Sequence, residues 1–114
     1  MSAVRPILEA DLQRCVIDYA HLTGWWVAHF RAAQTSGRWN TPVSADGAGF
    51  PDLVMARRGE VVIAELKSEK GRISDAQQAW LTALSSPDVA NRWLRVFVWR
   101  PADWFEGRIE RALR

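Results

Sequence analysis

The chain has 114 residues, 48% hydrophobic and 25% charged; that composition fits one globular domain, excludes a disordered or fibrous protein, and includes no apolar run near the roughly 20 residues that span a bilayer. A single cysteine, Cys15, excludes an internal disulfide, and with only His21 and His29 beside it a zinc site is excluded too, so any metal must be held by oxygen. The formal charge of +2 is too mild to identify a nucleic-acid binder, but it is unevenly spread: residues 57–114 carry eleven basic and eight acidic groups, residues 1–56 four and five.

From Pro6 to Thr23 the residues Leu8, Leu12, Cys15, Val16, Tyr19 and Leu22 recur at helical spacing, with Pro6 suited to a first turn and Gly24 to a stop. Trp25–Phe30 is aromatic and β-branched and reads as a strand. Residues 33–49 are turn formers throughout and are expected to form one long loop. Phe50–Arg57 and Glu60–Lys67 read as two strands of a hairpin around Arg58-Gly59. Their centres, Leu53-Val54-Met55 and Val61-Val62-Ile63-Ala64, predict burial on both faces. Ser74 and Gln77 fit the two ends of a capping box opening a helix that runs through Trp80, Leu81 and Leu84 to Ser86-Pro87. Trp93–Trp99 is a last strand stopped by Pro101, and Asp103–Arg114 a short final helix.

The order is α-β-β-β-α-β-α. A crossover helix before the fourth strand makes that strand parallel to a neighbour, giving an α/β or α+β fold with a mixed sheet. No repeat or linker divides the chain, so residues 1–114 are expected to form one domain.

The segment that carries chemistry is Gly49-Phe50-Pro51-Asp52 followed by Glu65-Leu66-Lys67. A two-residue turn at Arg58-Gly59 pairs Arg57 with Glu60 and, counting outward, Asp52 with Glu65, their Cβ atoms about 4.5–5.5 Å apart. Lys67 falls on the same face, two residue rises from Glu65, about 6–7 Å. A three-residue turn would separate the carboxylates, and Arg-Gly is a modest type I′ pair. Opposed carboxylates repel, and a sheet keeps them when a hard cation sits between them. The bland alternative is a surface ladder in which Lys67 pairs with Glu65 or Glu69; charges at the ends of such apolar strands weaken it.

Asp52 followed by Glu65-Leu66-Lys67 resembles the PD-(D/E)xK phosphodiesterase superfamily, the restriction-endonuclease-like fold. The Gly-x-Pro-Asp-Leu spelling, the Glu-Leu-Lys thirteen residues after Asp52, and Gly71, Ser74, Gln77 and Trp80 resemble the VRR-NUC family over residues 7–100. The resemblance implies an αβββαβ core with a short C-terminal helix, Asp52 and Glu65 as metal ligands with the Leu66 carbonyl as a third, and Lys67 as the residue that positions or activates water. It also implies catalytic places for Glu9, which lies about 70–80° from the centre of the helical stripe, and for Gln77. Their plain alternatives are a solvated first-turn residue and the capping box itself.

Other residues carry weaker signals. Lys70 and Arg72 precede a helix N-terminus, a good place to meet phosphate, and Arg38-Trp39 could contact or stack on DNA, or pack at a protein interface. Arg108, Arg111 and Arg114 form a row that could hold phosphate or be solvated. His29 is expected half-buried without a partner motif, and Cys15 in the core.

The reading is a Mg²⁺- or Mn²⁺-dependent DNA endonuclease. It is structure-selective for branched or Holliday-junction DNA by the resemblance, dimeric because a junction needs two cuts, and cytoplasmic in the absence of a targeting signal. Standalone members of the family are often encoded by phages. The alternatives are a catalytically inactive nucleic-acid-binding module of the same fold and an assembly protein; retention of Asp52, Glu65 and Lys67 argues against the first.

Overall fold

The computed structural model describes residues 8–30, 33–35, 38–40, 44–85 and 92–114, with the backbone alone for the two short pieces between 33 and 40. Helix α1 (Glu9–Leu22) packs its buried Leu12, Val16 and Ala20 on a sheet of four strands, β1 (Trp26–His29), β4 (Leu53–Arg57), β5 (Glu60–Leu66) and β6 (Leu94–Trp99), in the spatial order β1-β4-β5-β6. The pairs β1–β4 and β4–β5 are antiparallel, and β5–β6 is parallel. The crossover between β5 and β6 carries α2 (Asp75–Leu84), as a parallel pair requires.

The ends of α1 follow its sequence. Pro6 lies outside the described residues; Leu8 is the N-cap, and Gly24 takes φ +90° just beyond the last turn, a conformation that glycine adopts without steric cost. The stripe is narrower than its apolar residues suggest. Leu8 and Leu22 are largely exposed and Cys15 is only half-buried.

The core lies on one face of the sheet. Leu53 and Met55 of β4, Val62, Ala64 and Leu66 of β5 and Trp99 of β6 point toward α1 and toward Ile109 and Leu113 of the C-terminal segment. Trp25 closes its edge, its indole N–H donating to the Leu113 carbonyl at 2.7 Å while the Arg57 guanidinium stacks 4.3 Å above the ring. Strand β5 is buried from Val62 to Leu66, Glu65 included, while Val61, expected to be buried with its neighbours, is half-buried. Strand β4 departs from the expectation: it alternates, with Val54 half-buried and Ala56 exposed, since the second face of the sheet is covered incompletely at that side.

Two further expectations are corrected. The segment 33–49 is not one loop, since it contains an antiparallel pair, β2 (Ala33–Thr35) and β3 (Arg38–Asn40). The final helix is two helices, α3 (Pro101–Phe105) and α4 (Arg108–Leu113), broken at Gly107, whose φ of +77° no α-helix can contain. Pro101, read as a strand stop, is also the first residue of α3, where its missing N–H costs nothing.

Candidate active site

The β4–β5 hairpin turns on Arg58 and Gly59, both with positive φ (50° and 82°), as a type I′ turn demands. The ladder pairs Arg57 with Glu60 and continues to Leu53 with Ala64, so the next rung outward brings Asp52 against Glu65. Asp52 is held from both sides. Its carbonyl accepts the Phe30 N–H at 2.8 Å, and its Oδ2 accepts the Leu66 N–H at 2.8 Å.

Glu65 is the only buried charged residue among the described residues, 2% exposed. Its carboxyl is pushed up to about 8, first by burial, then by the Asp52 charge and a hydrogen bond to the Asp52 carboxyl; Lys67 opposes the shift and Glu9 adds to it. A proton shared between two carboxyl groups is what such crowding produces when no cation lies between them. Lys67 follows the last residue of β5 and places Nζ 4.0 Å from Glu65 Oε1, with its side chain largely buried. Glu9 opens α1 above this group and stays accessible. Its carboxyl is raised by partial desolvation and then by Asp52, and lowered by Lys67. Glu9, Asp52, Glu65 and Lys67 therefore act within one electrostatic site, although they come from three separate segments of the chain.

Gln77 serves two purposes at once. Its Oε1 accepts the Ser74 N–H at 2.9 Å and its backbone N–H donates to Ser74 Oγ at 3.2 Å, completing the capping box. Its Nε2 meanwhile donates to Glu65 Oε1 at 3.2 Å. The cap and the contact to the site are one side chain, so neither reading of the sequence displaces the other.

Helix α2 is brought to this place by Gly49, whose role the sequence did not disclose. At φ +81°, a Cβ on this residue would lie 2.5 Å from the Ala76 carbonyl carbon and 2.7 Å from the Gln77 nitrogen. The backbone just before Pro51-Asp52 thus lies directly on the first turn of α2. Phe50 continues the contact, edge-on to both Phe30 and Trp80, and the Trp80 indole N–H donates to the Asp46 carbonyl at 2.8 Å.

The weaker candidates divide. Lys70 and Arg72 are exposed in the turn before α2. Arg38 lies in β3, and its side chain is outside the described residues. The basic row on α4 is partly engaged by the protein itself, because Arg108 pairs with Asp103 and Glu106. His29 is half-buried and has a partner after all, its Nδ1 lying 3.3 Å from Gln13 Nε2.

Among the described residues, no three carboxylate, imidazole or thiol side chains are grouped so as to hold a metal ion by themselves. The oxygen donors brought together are the carboxylates of Asp52 and Glu65, with the Leu66 carbonyl next in the chain. They suit a hard cation such as Mg²⁺, which takes one or two carboxylates and keeps several waters or phosphate oxygens.

A mixed four-stranded sheet flanked by helices, with an acidic pair and a lysine at the end of its central hairpin, defines a restriction-endonuclease-like fold of the nuclease class. The sequence model of the VRR-NUC domain matches residues 28–98, and the chain belongs to that family of nuclease domains. No curated protein matches the chain. The family match takes in Asp52, Glu65, Lys67 and Gln77, while Glu9 and the segment after β6 lie outside it.

Proposed function

We propose that the protein is a divalent-metal-dependent DNA endonuclease that hydrolyses phosphodiester bonds by direct attack of water on phosphorus. The observation that carries this reading is the buried Glu65 set against Asp52, with its carboxyl raised to about 8 and Lys67 4.0 Å away. Sheet proteins do not retain such a pair for stability, since each carboxylate raises the cost of ionising the other. A bound divalent cation would relieve that repulsion, polarise a phosphate oxygen and lower the pKa of a water.

The remaining steps belong to the chain's own groups. Asp52 is held rigid by Leu66 N–H and Phe30 N–H, and so presents its other oxygen in a fixed direction. Gln77 orients Glu65 by holding Oε1. Lys67 brings a cationic donor to the charge that develops on phosphorus and to the attacking water. Glu9 adds an exposed carboxylate within electrostatic reach of Asp52 and Lys67. No covalent intermediate is required, in keeping with hydrolysis by one displacement.

The preferred substrate is branched DNA such as a four-way junction, and the working form is a homodimer that places two such sites on one junction. Mg²⁺ and Mn²⁺ are the expected metals. The test is cleavage of labelled single-stranded, duplex, flap and four-way-junction DNA with Mg²⁺, with Mn²⁺ and with EDTA, beside Asp52→Asn and Lys67→Ala. Metal-dependent cutting lost in both variants supports the reading, with the junction ranking first. Binding without cutting under any condition would replace it by the inactive-module reading.

A further inference from the structure

We propose that Arg100 is the positioning residue for Lys67, acting through the Ser68–Gly71 turn; this rests on the nuclease reading above. The chain leaves the sheet at Lys67, whose N–H makes the last bond to β6, donating to the Trp99 carbonyl at 3.0 Å. Beyond it, three carbonyl oxygens converge on one nitrogen of Arg100. Nη1 lies 2.6 Å from Ser68 O, 2.8 Å from Gly71 O and 3.2 Å from Glu69 O. Carbonyl dipoles aimed at a common point repel one another, and a cation at that point holds them together. The guanidinium thus fills the centre of the turn as a bound ion would.

The same turn is fastened a second time. Glu69 Oε1 accepts the Ala102 N–H at 2.5 Å, at the start of α3. Arg100 is itself fixed, its backbone N–H donating to Asp103 Oδ2 at 2.7 Å, while Asp103 Oδ1 accepts Arg108 Nε at 2.6 Å. The consequence for Lys67 is a confined space. A Cβ on Gly71 would lie 3.5 Å from Lys67 Cδ and 2.9 Å from Ser68 Oγ, so the clamped Gly71 stands beside the lysine stem with room for little more than one methyl group between them. Lysine has a long flexible stem, and an ammonium that must meet one water or one phosphate oxygen needs that stem confined. Arg100 confines it without touching the reacting atoms. It stands two residues beyond the end of the family match.

The chain contains two lysines, Lys67 and Lys70, which makes the test clean. With lysine labelled at ¹³Cε, the full-length protein gives two side-chain signals, one confined and one exposed. Arg100→Gln is expected to drop the Lys67 Cε order parameter to the level of Lys70 and to speed amide exchange over residues 68–71. Cleavage is expected to fall roughly tenfold to a hundredfold, with DNA affinity measured in Ca²⁺ changed less than about twofold.

An unchanged Lys67 signal in Arg100→Gln overturns the proposal. So does a loss of DNA affinity that accounts for the fall in rate, which would make Arg100 a phosphate contact. If Arg100→Gln does not fold, Arg100→Lys takes its place, because the shorter side chain sets its ammonium short of the point where the three carbonyls meet, and a smaller loss of the same order parameter is expected. A wild-type chain that cuts no DNA would remove the nuclease reading, while the Lys67 signal would still decide whether Arg100 confines the lysine.

Discussion

Replacing Glu65 by glutamine is expected to stabilise the metal-free protein, by an amount that depends on pH. Glutamine has nearly the same shape, keeps an oxygen for the Gln77 donor, and can donate to Asp52 as the protonated acid does. In the folded chain the Glu65 carboxyl is raised to about 8 from an ordinary value of 4.5. The folded protein therefore keeps a proton that the unfolded chain releases. The contribution of Glu65 to stability is whole below about pH 4.5 and is lost as pH rises through about 8. At about 1.4 kcal/mol per unit, the loss reaches about 3 kcal/mol by pH 7. That corresponds to roughly 10 °C in melting temperature for a chain of this size. The assay is thermal unfolding in EDTA from pH 4.5 to 8.5 for wild type and Glu65→Gln. The difference between the two is expected to start near zero, grow across the window and level off above pH 8. A difference that does not vary with pH, or a Glu65→Gln protein less stable than wild type at pH 7, would refute the reasoning. Cleavage is expected to be abolished in the same variant, so stability and activity would move in opposite directions.

The other predictions concern the elements around that carboxyl. Gly49→Ala is expected to cost about 3 kcal/mol or more in urea unfolding, because it combines a left-handed φ with a clash against the α2 backbone, whereas Gly59→Ala, with nothing within 4 Å, is expected to cost only about 1 kcal/mol. Gln77→Glu keeps a good residue at the third position of the α2 cap but turns an oxygen toward Glu65; its melting temperature in EDTA is expected to hold at pH 5 while cleavage at pH 8 falls at least about tenfold. Lys70→Ala and Arg72→Ala are each expected to reduce the salt dependence of DNA binding by about one ion, and Arg108→Ala to leave it unchanged, since Asp103 and Glu106 already engage that guanidinium.

The hairpin was legible because its geometry is counted from its turn. Once Arg58 and Gly59 form the two-residue connection, every rung from Arg57–Glu60 to Asp52–Glu65 follows, and the side-chain period of two places Lys67 beside Glu65. The α2 cap was legible for a similar reason, since Ser74 and Gln77 act over three residues of continuous chain. The features that escaped depend on backbone meeting backbone across the fold. Gly49 lying on Ala76 leaves no trace in either residue's neighbourhood, and the three carbonyls gathered by Arg100 belong to residues whose side chains say nothing about it. The break at Gly107 was within reach, because a glycine followed by Arg108-Ile109 permits a second helix start, which the expectation of one helix over Asp103–Arg114 passed over. Strands β2 and β3 are three residues each, too short to show alternation among turn-forming residues.

The paired turn has a consequence for how this site tolerates change in length. Because Arg57 faces Glu60 across two residues, Asp52 and Glu65 stay opposed whenever residues are gained or lost in twos, one on each strand or both in the turn. A single insertion anywhere between Leu53 and Ala64 offsets the carboxylates by one rung and sends one of them to the face occupied by Leu53 and Leu66. The site is thus protected by parity. Homologous hairpins can differ in reach while keeping an odd interval between the two acids, and an even interval marks a chain whose acids can oppose only if a β-bulge absorbs the extra residue.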